Sequence, residues 1–136
     1  MATENAYRIH TEPPQWEGYK LSGAFRVGNL VFTSGRAAID SEGNNVGVGD
    51  FDAQAEHTFN TLKQILEAAG SSLEQVIKVV IFVTDISCLP KIVKLREKYF
   101  TKPYPADSLV EVSALGRPEL LIEIEAIGLI DGETID

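Results

Sequence analysis

The spacing of apolar residues changes several times along the chain, and each change marks an element. Between Phe51 and Ala69, the residues Phe51, Ala55, Phe59, Leu62, Ile65, Leu66 and Ala69 recur every three or four positions. This predicts an amphipathic helix. Asp50 is placed to cap its start and Gly70 to end it. Val76 to Thr84 is dense in β-branched residues and reads as a mostly buried strand. Leu89 to Phe100 reads as a second helix, with Ser87 as its cap and Leu89, Ile92, Val93, Tyr99 and Phe100 facing inward.

Upstream, FRVGNLVFTSG predicts two short strands around the Gly28-Asn29 turn, and SEGNNVGVGD a loop. Ser108 to Ala114 and Leu120 to Leu129 are the last strands, joined by the Gly116-Arg117-Pro118 turn. The order is ββαβαββ, an α+β chain whose two helices cover one sheet face. We expect one domain over residues 1–136. Its irregular N-terminal segment, to about residue 20, holds the breakers Pro13, Pro14 and Gly18, and its acidic C-terminus is frayed from about residue 131.

The last strand assigns the two faces. Leu120, Ile122, Ile124 and Ala126 alternate with Leu121, Glu123, Glu125 and Ile127. The helices would cover the first set. The second set mixes apolar residues with two carboxylates, and a second copy of the chain would pack it.

Composition narrows the function. With 136 residues and 44% apolar positions the chain can bury a real core. A net charge of −8 repels phosphate backbones and anionic lipid heads, which disfavours nucleic-acid and membrane partners. One cysteine, Cys88, permits no intrachain disulfide and fits a reducing compartment. MATENAYRIH lacks the apolar core of a signal peptide, and VIKVVIFV is too short to span a bilayer, so a cytoplasmic protein is expected. No phosphate-binding glycine loop and no metal-ligand spacing is present, and no cofactor is implied. His10 and His57 are isolated and read as solvated. Cys88 stands before a helix, where a depressed pKa is conceivable. With no histidine nearby in sequence, it reads instead as a partly buried structural thiol.

Two acids stand out. Glu123 lies within the apolar run ELLIEIEAIGLI, where a buried carboxylate must be satisfied or raised in pKa. It reads either as a general acid or base or as one residue of an exposed alternating face. Asp107 follows the proline-stiffened KPYPA and reads by itself as a strand-start residue. Ser34 and Gly35 read as a strand end, and Arg36 as a surface or ion-pair residue.

VGNLVFTSG, DAQAEHTFNTLKQILEAAGSSLEQVIKVVIFVTD, KYF, PADS and IEIEAI together resemble the Rid (YjgF/YER057c/UK114) family of imine and enamine deaminases, from about Gly18 to Leu129. The resemblance implies a chorismate-mutase-like subunit of the bacillus type, a homotrimer, and small-molecule clefts between neighbouring subunits. In that family water attacks a reactive imine, releasing ammonia and a keto acid. The matching positions here are Tyr19 lining the cleft, Ser34 and Gly35 beside it, and Glu123 ordering the water.

The chain also departs from that pattern. The family's carboxylate-gripping arginine, in P-A-R-S, is Asp107 in Pro105-Ala106-Asp107-Ser108. Arg36 stands for a glutamine, Val93 for an asparagine and Leu109 for a cysteine. Reversing one charge at ~4 Å exchanges roughly 4 kcal/mol of attraction for similar repulsion at an effective dielectric of ~20. The sequence therefore supports three readings. In the first, Asp107 and Glu123 line one cleft and act on an imine other than a simple 2-imino acid. In the second, Arg36, or failing it Arg26 or Arg117, pairs with Asp107 or grips a substrate. In the third, the trimer binds a metabolite or a partner without turnover.

Overall fold

The structure is a computed structural model that describes residues 4–11 and 17–136; Pro13 and Pro14 lie outside the described residues. The elements are β1 (Ala6–Arg8), β2 (Ala24–Val27), β3 (Leu30–Thr33), β4 (Arg36–Ala37), α1 (Phe51–Ala68), β5 (Val76–Val83), α2 (Leu89–Tyr99), β6 (Ala106–Glu111) and β7 (Ile122–Leu129). Two of these strands were not anticipated. β1 pairs with β2 inside the segment expected to be irregular, and β4 is a two-residue strand paired with β7. Among the described residues the strands form one seven-stranded mixed sheet of order β1-β2-β3-β7-β5-β6, with β4 off that path. β5 and β6 run parallel and the other pairs antiparallel. The chain crosses from β5 to β6 through α2, as a parallel pair requires.

Local chemistry accounts for the element boundaries. Gly28 adopts φ +56°, the left-handed value a tight hairpin turn needs, and β2 and β3 pair from Val27↔Leu30 outward. Asp50 caps α1 by accepting from the Ala53 amide at 3.1 Å, and Gly70 leaves the helix at φ +85°. The cap expected from Ser87 is not made. The amide of Ser87 donates to Asp85 in a short 3₁₀ turn, and Cys88 stands at the N-cap of α2 without a side-chain hydrogen bond.

Alternation along β7 divides the sheet as the sequence indicated. Ile122, Ile124 and Ala126 are buried, while Glu123, Glu125 and Ile127 are half-buried on the other face. The core joins Ala55, Phe59, Leu62, Ile65 and Leu66 of α1 to Val79, Ile81 and Val83 of β5 and to the inward set of β7. Fully burying each such aliphatic side chain contributes roughly 1.5–3 kcal/mol. α2 docks through its end. The Tyr99 ring stacks on Phe59 with centroids 4.5 Å apart, and Phe100 meets Phe59 edge-on at 5.8 Å.

This docking turns α2 away from the expected face. Ile92 is its one buried residue, Leu95 and Tyr99 pack beside it, and Leu89 and Val93 are exposed. His57 is likewise not simply solvated: its Nε2 lies 3.0 Å from the Ile39 carbonyl, in a partly buried position.

One buried polar residue ties the loops to the sheet. Gln54 of α1 is 1% exposed. Its Nε2 donates to the carbonyls of Gly47 and Glu119, and its Oε1 accepts from the Leu121 amide at 2.8 Å. Leucine there would leave all three backbone groups without this partner, and one buried orphan costs roughly 1–3 kcal/mol. We expect Gln54→Leu to lower unfolding free energy by about 3 kcal/mol in urea titration, despite its added apolar surface. An unchanged midpoint would show that the loops satisfy those groups another way.

Candidate functional site

Glu123 is the second residue of β7, on the face opposite the helices. Its position depends on a glycine. A Cβ at Gly35 would lie 1.9 Å from Glu123 Oε1 and 2.8 Å from its Cδ, so the carboxylate occupies the space a side chain would fill. Ser34 is adjacent. Its hydroxyl donates to the Ser22 carbonyl and its amide to that of Gly23, which holds the strand end against the chain entering β2. Burial, and then the charge of Glu125, push the Glu123 carboxyl above the usual carboxylate range. A carboxyl so placed exchanges protons nearer neutral pH than an exposed one would.

Arg36 is not a surface residue. It is 6% exposed, pairs across to Ile124, and burial lowers its guanidinium to about 10.

Asp107 lies elsewhere. It pairs in register with the fully buried Val79, so its side chain points to the helix face of β6. There Arg96 of α2 meets it with a two-pronged contact, Nε donating to Oδ2 at 2.9 Å and Nη2 to Oδ1 at 2.7 Å. The side chains are 26% and 15% exposed, which makes this a largely desolvated, charge-assisted pair. The cation beside Asp107 is therefore Arg96, not any of the three arginines expected. Arg26 donates to the Gly28 carbonyl, and Arg117 binds the Gly43 carbonyl, Asn45 Oδ1 and, through Nη2 at 2.5 Å, the Tyr19 hydroxyl. Tyr19, exposed at the end of its 3₁₀ turn, is thus tethered to the loop before β7.

The pair borders a hollow of about 360 Å³ at the end of α2. Val93, Phe100, Tyr104 and Pro105 supply apolar wall, and Glu97 adds a second acid. The exposed Val93 contributes to this wall instead of to the core.

The candidate residues fall into separate groups. Ser34, Gly35 and Glu123 come together, and Asp107 and Val93 meet at the α2 hollow. The Tyr19 hydroxyl accepts from Arg117. Leu109 faces the core beside Asp107, whereas Ala106 and Ser108 are exposed on the opposite face, where Lys78 Nζ reaches Ser108 Oγ at 3.4 Å. Within one chain, then, Asp107 and Glu123 lie on opposite faces of the sheet, and the hollow expected to join them is one between subunits. Arg96 was missed because it reads as a solvated helix cation. Its signal was position, since it follows the buried Ile92 by four residues on the same helix stripe. Cys88 is partly buried, and burial followed by the charge of Asp85 raises its thiol.

Comparison with known proteins places this geometry. The family model described as Endoribonuclease L-PSP matches residues 11–130. A RutC family protein of Pyrococcus abyssi is 39% identical over 106 residues, 78% of this chain and 83% of that protein. A 2-iminobutanoate/2-iminopropanoate deaminase of Dermatophagoides farinae is 33% identical over 110 residues, 81% of this chain and 85% of that one. The crystal structure of a YjgF/YER057c/UK114 family member from Mycobacterium tuberculosis superimposes with a TM-score of 0.77 at 30% identity, covering 92% of this chain and 99% of its own. Two helices on one mixed sheet, with glutamate seated over the glycine that follows the hairpin, are thus carried by a chain that belongs to the Endoribonuclease L-PSP family, also called the YjgF/YER057c/UK114 or Rid family.

Proposed function

We propose that this chain hydrolyses an imine or enamine other than a simple 2-imino acid, in a small-molecule cleft completed by a neighbouring copy in a homotrimer. The observation that carries the reading is the Glu123 carboxyl, half-buried, raised in pKa and seated over Gly35. A relative named for 2-imino acid deamination supports the reaction class. Opposite-face placement of Glu123 and Asp107 supports a cleft with contributions from two chains. Apolar Phe25, Phe32 and Val110, each about two-fifths exposed on the face away from the helices, support packing of that face by another copy.

In this reading Glu123 accepts a proton from water as the oxygen bonds to the C=N carbon. The resulting carbinolamine loses its nitrogen as ammonia, protonated by the same carboxyl, and leaves a carbonyl product. Water supplies the oxygen and two hydrogens, so no redox partner is required. The Arg117-bound Tyr19 and the Ser34 hydroxyl oxygen are available to orient the substrate. RNA cleavage is not proposed, because a net charge of −8 opposes approach of a phosphate backbone. The binding-only alternative draws on the acid at position 107, which an arginine partner already occupies.

Four outcomes of imine-hydrolysis assays test the reading. Amine-derived imines without a carboxylate, generated in situ and followed by ammonia release, should be hydrolysed faster than 2-iminopropanoate. Glu123→Gln should lower that rate by roughly 10²–10⁴-fold, the usual contribution of a general acid–base. Preference for 2-iminopropanoate would overturn the substrate assignment. No hydrolysis of any imine by a protein that still binds one would favour the binding-only alternative.

Gly35→Ala should separate stability from activity. Its methyl displaces the end of a flexible glutamate side chain, so the thermal midpoint should barely move while activity falls towards that of Glu123→Gln. Retained activity would show that the carboxylate position is not the catalytic one.

Stability should also depend on pH through Glu123. Its folded pKa lies above the unfolded value, so between the two the folded state binds more protons and stability falls as pH rises. Glu123→Gln should therefore be more stable than wild type at about pH 7.5, with the gap closing at about pH 4. Urea titrations showing a gap that widens on acidification would contradict the assignment.

A further inference from the structure

The arginine fork on Asp107 bears on what the α2 hollow accepts. Arg96 presents Nε and Nη2 side-on to both oxygens of Asp107, the arrangement in which a guanidinium grips any carboxylate. Both groups border the hollow, whose nearby walls are apolar. A small carboxylic acid entering there would need a vacant cation to offset its desolvation. The cation available is already engaged by an acid of the same chain. Because Asp107 is tethered, its effective concentration at Arg96 exceeds that of any dissolved carboxylate. Charge adds to the barrier. Arg96, Asp107 and Glu97 sum to a formal −1 at the hollow, which repels an anion and tolerates a neutral or cationic ligand.

We propose that Asp107 is a built-in stand-in for a ligand carboxylate: by keeping Arg96 occupied, it makes the hollow reject small carboxylic acids and admit neutral or cationic molecules. Arg96 and Asp107 are then specificity-determining residues, and Arg96 is a latent anion site. The inference rests on the functional reading above only in treating the occupant as substrate. Equilibrium binding tests it without turnover, so its failure and the failure of the hydrolase reading are distinguishable.

Pyruvate and propionaldehyde, one anionic and one neutral, serve as probes for full-length wild-type protein, Asp107→Asn, Asp107→Ser and Asp107→Asn combined with Arg96→Gln. Binding is followed by amide chemical-shift titration, and folding of each variant by its thermal transition. Freeing the guanidinium should tighten pyruvate binding roughly 10- to 100-fold in either single variant, the range expected for a hydrogen bond to a charged group. Propionaldehyde binding should change little, and the double variant should return to the weak pyruvate binding of wild type. Asp107→Ser provides the same reading if Asp107→Asn does not fold. Should both single variants fail to fold, the wild-type Arg96 Nε–H resonance decides, because a locked fork should keep it visible and unmoved by excess pyruvate. Pyruvate binding as weak in the folded single variants as in wild type would overturn the proposal. So would tight binding that survives loss of Arg96, or a pyruvate-dependent shift of that resonance in wild type.

Discussion

The two-residue alternation of β7 is the constraint on which the rest of the structure depends. β7 lies inside the sheet, paired with β3 and β4 along one edge and β5 along the other, so its side chains set which face each neighbouring strand turns inward. Ile122, Ile124 and Ala126 commit one face to the helices. The registers then carry that choice outward: Val79, Ile81 and Val83 follow on β5, and Asp107 and Leu109 on β6. A slip of one residue would bury Glu123 and Glu125 and expose the isoleucines. Glu123 and Asp107 lie on opposite faces for the same reason that there is a core at all.

Each of these acids is accommodated by a different physical device. Glu123 has space in place of a counter-ion: Gly35 leaves room for the carboxylate, burial makes its charged form unfavourable, and the shift in pKa follows. Asp107 has a counter-ion, and the two-pronged contact with Arg96 compensates for the loss of water around it. A half-buried acid raised in pKa suits proton transfer. A paired acid suits selection among ligands. Asp107 is therefore not a bare negative charge, because the guanidinium beside it neutralises most of its field at a distance.

Family membership gives these differences their meaning. The chain matches the family model from residue 11 to residue 130, and a relative is named for 2-imino acid deamination. The position where the resemblance implies an arginine holds an acid, and an arginine instead enters from the helix across from it. The opposite charges are thus both present beside the hollow, with the acid on the strand and the cation on α2.

The sequence by itself determined the two helices, the hairpin, β5 to β7 and the division of the last strand, but not β1 or β4. α1, β5, β7 and the hairpin follow from spacings within a few residues, and such local periodicities are written directly in the chain. It also marked Glu123, because an acid inside an apolar run is a local anomaly, and its segments carried the family resemblance. Tertiary structure decided the rest. The rotation of α2 about its axis is set by Tyr99 and Phe100 against Phe59, a contact forty residues distant in sequence, and that rotation sends Val93 outward and Arg96 toward Asp107. Arg36 reads from the sequence as a surface or ion-pair residue, and nothing local to Gln54 marks it as buried. Only the assembled loops around Gln54 show why burying it is favourable. The partner of a charge depends on which elements meet, and separation along the chain does not encode that.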